Sequence, residues 1–239
     1  MKKNFLFCLF IPLFGMSQTK NVANYFRAFP KVDKVLEFEK ALTAHAQKYH
    51  TGDWKWRVFE IQSGPDAGGY HVGEGPTSWE AFDTRGNLGT AHNTDYNKTV
   101  AIYLTDRGSS GYSVFVDSLS TVSLTDYSDK IIINHMYSKP GMLGNVIDLV
   151  KKLKNVWMAG NESVAVYQAS NSGAPQTITV TRLKGGLKEL AAGYRKPLPE
   201  RFNSANGAGS WDNYLADYAK YVESRWSEML FYRADLSSK

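Results

Sequence analysis

Asn24-Tyr25-Phe26-Arg27, with Pro30 just beyond, returns 110 positions later as Asn134-His135-Met136-Tyr137, followed by Pro140. Each copy opens the same succession: a β-type run, a helical pattern, two β-type runs around a Gly-rich turn, a second helical pattern and a last strand ending in Leu-Ser. A repeat of this length describes two homologous α+β units side by side rather than a short-period solenoid. The duplication speaks to architecture and leaves activity open.

In the first copy, Val22 to Phe29 reads as a strand and Val32 to His50 as a helix. Val32, Val35, Leu36, Leu42 and Ala46 fall on one helical stripe, and Thr51-Gly52-Asp53 supplies the stop. Trp54, Trp56 and Val58 alternate with Lys55 and Arg57, as in a strand with one drier face. Ser63 to Gly69 makes a hairpin turn, with Tyr70 to Gly73 as the returning strand. A second helix is expected over Tyr96 to Thr105 and a closing strand over Tyr112 to Val116.

The second copy repeats this order. Ile131 to Tyr137 is a strand, and the helix from Leu143 to Met158 aligns with the first at an offset of 111. Val146, Ile147, Val150, Leu153 and Trp157 mark its buried stripe. Val164 to Gln168 and Thr177 to Leu183 form the hairpin. Trp211, Tyr214, Leu215, Tyr218, Val222 and Trp226 trace an aromatic helical face, and Met229 to Leu236 closes the unit. The expected division is 18–124 for the first unit, 125–130 for the junction and 131–239 for the second. Gly193 to Ser210 reads as a connection too long for a compact domain, a lid or a mobile loop.

Met1-Lys2-Lys3, the apolar run from Phe5 to Phe14 and Gly15-Met16-Ser17 have the pattern of a secretory signal peptide, residues 1–17. The run is shorter than the roughly 20 residues that span a bilayer. Cys8, the sole cysteine, lies within it. The expectation is an exported, soluble, periplasmic or extracellular protein without thiol chemistry, disulfides or thiolate-bound metal. Without Lys2 and Lys3, 26 basic residues face 23 acidic ones. That small, scattered excess argues against nucleic acid as a partner; oligomeric state is left open.

Chemistry-bearing patterns are sparse. His45 and His50 are five apart on the expected helix and so point to different faces, since neighbours on a helix are three or four apart. His71-Val72-Gly73-Glu74 offers at most two ligands, and His135 alternates with Asn134 across a strand. No metal site is expected on these grounds. A Gly-x-Ser-x-Gly elbow is missing, and Gly73-x-Gly75 lacks the third glycine of a phosphate cradle. The aromatic residues follow helix and strand periods and read as core.

Strand–helix–strand–strand–helix–strand in each half resembles the ferredoxin-like unit of the dimeric α+β barrel superfamily, which includes antibiotic-biosynthesis monooxygenase-like and haem-degrading proteins. Ser78-Trp79-Glu80-Ala81-Phe82 is similar to a short stretch that follows the third strand there, and Arg233-Ala234-Asp235-Leu236-Ser237 resembles a common ending. The fold this implies is α+β: two tandem ferredoxin-like units forming an intrachain barrel, antiparallel sheets inside and helices on the outer faces. The resemblance also implies a pocket between sheet and helices. For haem-degrading members it gives Asn24, Trp79 and His92 in the matching order, although His92 reads as a loop residue. The candidate pocket is Asn24, His71, Trp79, His92 and Asn134, with no catalytic role assigned. The functional expectation is a non-catalytic small-molecule-binding or interaction module, with a small apolar or aromatic molecule as the possible ligand and without cofactor. The alternative is a cofactor-independent or haem-using oxygenase, and whether the chain is an enzyme stays open.

Overall fold

A computed structural model describes residues 19–239; the leader expected over 1–17, with Cys8, lies outside the described residues. The first half runs β1 (Val22–Pro30), α1 (Val35–Tyr49), β2 (Trp56–Ile61), β3 (Tyr70–Thr77), α2 (Trp79–Arg85), α3 (Gly89–Asp95) and β4 (Leu104–Phe115). The second runs β5 (Lys130–Ser138), α4 (Leu143–Ala159), β6 (Val164–Ser170), β7 (Gln176–Arg182), α5 (Leu198–Asn206), α6 (Ser210–Tyr221) and β8 (Val222–Tyr232). Among the described residues no helix is long and apolar enough to cross a membrane.

The eight strands close into one antiparallel barrel in the order β1-β3-β2-β8-β5-β7-β6-β4. Each half contributes the same order, β4-β1-β3-β2 and β8-β5-β7-β6. The seams are β2 against β8 and β4 against β6. Closure leaves no free sheet edge, which removes the template for unwanted strand pairing.

Side chains alternate between lumen and helix layer along each strand. On β1, Phe26 and Ala28 join the helix-side core with Phe38, Leu42 and Ala46 of α1, while Tyr25 and Arg27 face the lumen. In the second unit Val146, Leu149 and Val150 of α4 pack with Met136 and Val166. Each such fully buried side chain contributes about 1.5–3 kcal/mol.

The lumen is tied across the two halves by charge. Arg27 Nη1 donates to Glu228 Oε2 at 2.7 Å and to Asp66 Oδ2 at 2.5 Å. His135 Nε2 donates to Glu228 Oε1 at 2.7 Å, and Gln176 Nε2 donates to His135 Nδ1 at 2.7 Å. Trp226 stacks on His135 at 3.8 Å. Burial alone would raise the Glu228 carboxyl, but the bonds from Arg27 and His135 outweigh it and hold the group at about 2.

Several expectations need correction. Helix α1 starts after a 3-10 turn and buries Phe38, Leu42, His45 and Ala46. Val32 and Leu36 are 96% and 78% exposed, because Leu36 lies some 200° around the helix from Phe38 at 3.6 residues per turn. The helix expected from Tyr96 begins at Gly89 and passes through a π turn over Tyr96–Val100 and a 3-10 turn over Ala101–Tyr103. Helix α6 ends at Tyr221, so Val222 and Trp226 belong to β8. The long connection Gly193 to Ser210 carries α5, whose Phe202 is fully buried against Tyr214 and the α4 core. Its high Pro, Asn and Gly content hid a structural helix with Pro199 in its first turn, where proline is tolerated.

Candidate metal centre

Three histidines meet between α1, the end of that helix and α3. His45 sits on α1 and is 1% exposed; His50 is the residue that ends the helix and is 2% exposed. His92 projects from α3 and is half-buried. His92 Nε2 lies 3.2 Å from His45 Nε2 and 3.3 Å from His50 Nε2. One imidazole nitrogen from each lies within 4.8 Å of the other two. A tetrahedral ion about 2.05 Å from each imidazole nitrogen would separate them by about 3.3 Å.

The outer nitrogens decide which atoms carry protons. His45 Nδ1 faces Asp95 Oδ2 at 2.8 Å, and Lys48 Nζ holds the other carboxylate oxygen at 3.1 Å. His50 Nδ1 faces Glu74 Oε1 at 3.3 Å; the Arg85 guanidinium bonds the same oxygen and lies 3.4 Å from the ring nitrogen. His92 Nδ1 faces Asn93 Oδ1 at 3.0 Å. The amide orientation of Asn93 is fixed in turn: its Nδ2 reaches Asn87 Oδ1, which already accepts from Gly89 N.

An oxygen acceptor faces each Nδ1, the arrangement that puts the proton there and leaves Nε2 free to ligate; at His50 the Arg85 guanidinium, a donor only, also approaches Nδ1 at 3.4 Å. With the protons on Nδ1, the three Nε2 atoms turn their lone pairs toward a common centre. Three convergent Nε2 atoms form a donor set that could hold a metal ion, and an imidazole held from behind by a carboxylate or amide is the usual support for a metal-bound histidine. Burial pushes His45 and His50 below the usual imidazole range, with Asp95 and Glu74 only partly opposing. Neutral, ligating imidazole is therefore favoured over imidazolium. The bond from His45 holds the Asp95 carboxyl low. Trp56 stacks on His50 at 3.6 Å and forms the dry floor, while the α3 side, with Asn93 exposed, faces solvent.

The expected pocket is not gathered in one place. His92 lies in the cluster, on a helix rather than a loop. His71 faces the barrel lumen, stacked on Tyr25 at 5.4 Å, and Glu74 faces the helices, so the pair His71 and Glu74 is split across the sheet. Asn24 lies on the helix side and gives its amide to Gly111 O at 3.1 Å. Trp79 is 42% exposed and packs on Phe82 and Tyr112. Asn134 belongs to the second unit, where Arg225 and Ser227 both donate to its Oδ1 at 2.8 Å. His45, His50, Glu74 and Asp95 were not expected together. The five-residue spacing argument fails because His50 stands beyond the last helical turn, free of the 100° lattice. Thr51-Gly52 was the signal for that.

No protein-family model matches the sequence, and no curated protein does. Among solved structures, an anthrone oxidase-like protein aligns with a TM-score of 0.61 at 12% identity, covering 90% of this chain and 92% of that one. A candidate monooxygenase from Fusobacterium nucleatum gives 0.55 at 11%, covering 88% and 91%. Chlorite dismutase from Candidatus Nitrospira defluvii, solved with imidazole, gives 0.53 at 9%, covering 91% and 93%. At these identities the likeness is one of fold. The chain has the dimeric α+β barrel fold, with both ferredoxin-like units supplied by a single polypeptide.

Proposed function

We propose that the first unit is a mononuclear site for a first-row divalent metal, held by Nε2 of His45, His50 and His92, and that the protein uses it for oxygen-dependent chemistry on a small organic molecule. The observation that carries the metal reading is the side-chain geometry: three Nε2 atoms converge, with His92 Nε2 at 3.2 and 3.3 Å from the other two, and an oxygen of Asp95, Glu74 or Asn93 stands behind each ring. Three neutral donors leave at least one coordination position open, as in catalytic rather than structural sites. Imidazole donors suit both zinc and iron. The choice of oxygen chemistry draws on the fold neighbours, which are named as oxidase-like and monooxygenase proteins.

Haem on His92 has less support. Its Nε2 is already within 3.3 Å of two other imidazoles, and a macrocycle would have to force His45 and His50 out of a packed layer. Export through the 1–17 leader belongs to the same reading. Mass spectrometry of native protein should find a chain starting near Gln18, and an intact Met1 would count against export.

The metal reading is tested on chelator-stripped protein titrated with ferrous iron under anaerobic conditions. One equivalent should bind, and nitric oxide should then give a high-spin ferrous–nitrosyl EPR signal, reporting an open position. Both should vanish in His45→Ala/His92→Ala. Substoichiometric binding, or binding indifferent to that double substitution, would overturn the metal reading. Tight iron binding without a nitrosyl signal would overturn the oxygen chemistry alone.

A further inference from the structure

The barrel lumen holds a second cavity, of about 160 Å³, on the opposite side of the sheet from the histidines. Its apolar wall is Phe59, Ile131, Ile133, Ile178 and Val180. These come from the inward positions of β2, β5 and β7. At the far end the unit junction crosses the barrel mouth, and Tyr127 is held there between Arg57 at 4.3 Å and Arg182 at 5.8 Å. Ser128 Oγ anchors the same segment to Leu183 O at 3.2 Å.

The charges in the lumen are unevenly matched. Arg27 is neutralised by Glu228 and Asp66. Arg182 is served by Asp126 at 3.6 Å and Ser123 O at 3.1 Å. Arg57 donates only to Gly75 O at 2.6 Å, and among the described residues no carboxylate pairs with it. It is half-buried, and its position opposite Gly73 puts it on the cavity wall. Tyr167 lines the same end beside Arg182. On the wall nearer the charge network, His71 Nδ1 is buried with no hydrogen-bond partner.

A half-buried guanidinium without a counter-ion is costly unless an anion reaches it, and its planar fork matches a carboxylate in two-pronged geometry. An apolar chamber behind such a group is the arrangement that orients a small ligand by one polar end. Roughly 150 Å³ is enough for a single benzene ring. Gly73 helps to make the room. A Cβ added there would meet nothing closer than 4.0 Å, so the space beside it is real.

We propose that the barrel lumen binds a small aromatic carboxylate, with its carboxylate on Arg57 and Tyr167 and its ring against Phe59, Ile131 and Val180. The junction over the mouth, with Tyr127 between the two arginines, is the element that must part to admit it. This site stands on a different face, different residues and a different ligand chemistry from the histidine cluster, and it does not depend on the metal reading.

The proposal is tested by calorimetric titration of the purified chain with benzoate, benzamide and toluene, in EDTA so that no carboxylate–metal contact contributes. Benzoate should bind at least tenfold more tightly than benzamide. Arg57→Leu should erase that difference, and Gly73→Val should remove binding by growing into the chamber, with near-ultraviolet circular dichroism of both variants unchanged. His92→Ala should bind benzoate like the parent. Should Gly73→Val perturb the fold, Ile133→Phe fills the chamber from the opposite wall and is expected to do the same. Absence of benzoate binding, equal affinity for benzoate and benzamide, or benzoate binding that survives both filling substitutions would each overturn the proposal.

Discussion

The helix-side layer of the first unit and that of the second are the same architecture with opposite contents. Under α1 lie three imidazoles, two carboxylates and Trp56. Under α4 lie Trp211, Tyr214 and Tyr218, with Leu153, Trp157 and Leu198 at the edge of a cleft. At the offset of 111 that aligns the helices, His45 falls on Val156 and His50 on Asn161. Val156 is 1% exposed, so the second unit fills with a buried aliphatic chain the place where the first keeps a polar one. The extra helix α5 completes the contrast by driving Phe202 into the core. A shared backbone layer can thus be packed for stability or left polar for chemistry, and buried polar groups carry a cost that only paired partners offset.

The largest expected effect comes from making the first unit resemble the second. His45→Val with His50→Asn should lower affinity for a divalent metal by at least about a thousandfold, because two of three ligands are lost; competition titration against a chelator measures it. Retained affinity would mean the contrast between units has no bearing on metal. Next is Phe202→Ala, which should cost about 3–5 kcal/mol in urea unfolding, as for a fully buried phenylalanine. A cost below about 1 kcal/mol would return the α5 segment to the status of a detachable lid. Asp95→Ala should leave one metal per chain but weaken it about 10–100-fold, the effect of removing a carboxylate behind a ligating histidine. Unchanged affinity would show that Asp95 does not orient His45.

The smallest effect is in the pH dependence of the metal-free protein. His45 and His50 lie below their ordinary value of 6.5, and His71 is driven by burial to about 3. The unfolded chain therefore binds protons that the folded chain refuses, and stability should fall as pH drops below about 6.5. Glu228, held at about 2, keeps its contribution until pH falls below its ordinary 4.5 and loses it toward 2. One continuous decline in unfolding free energy is expected from about pH 6.5 to about pH 2, carried by the histidines alone above 4.5 and joined by Glu228 below it, and His45→Val should make the part above 4.5 shallower. Stability that stays flat between pH 6.5 and 4.5 would contradict the assignment.

Much of this was legible beforehand. The Asn24 and Asn134 echo, the two Gly-rich hairpins and the helix stop at Thr51-Gly52 were enough for the duplicated succession of elements, and the resemblance to the α+β barrel proteins supplied the closed barrel, while the order of strands around it came from the structure. The histidine cluster was not, for reasons that can be named. Its members lie on two elements and one helix end, and a spacing rule that holds within a helix says nothing about a residue one step past it. His92 looked like loop because Gly89 and Asn93 are poor helix formers, yet tertiary packing against α1 made it helical. Trp226 keeps the helical period of Trp211 to Val222, so periodicity alone could not reveal that the chain had turned into β8.

The seams β2 to β8 and β4 to β6 have a consequence for inheritance. In a barrel built from two identical chains every substitution appears twice, so a histidine introduced for chemistry on one side is forced on the other as well. Joining the two halves in one chain, between β4 and β5, makes the partner permanent and its sequence independent. Selection can then act on each gene half separately. One copy can accept the unfavourable burial of imidazole and carboxylate while the other accumulates aromatic ballast that keeps the common barrel closed.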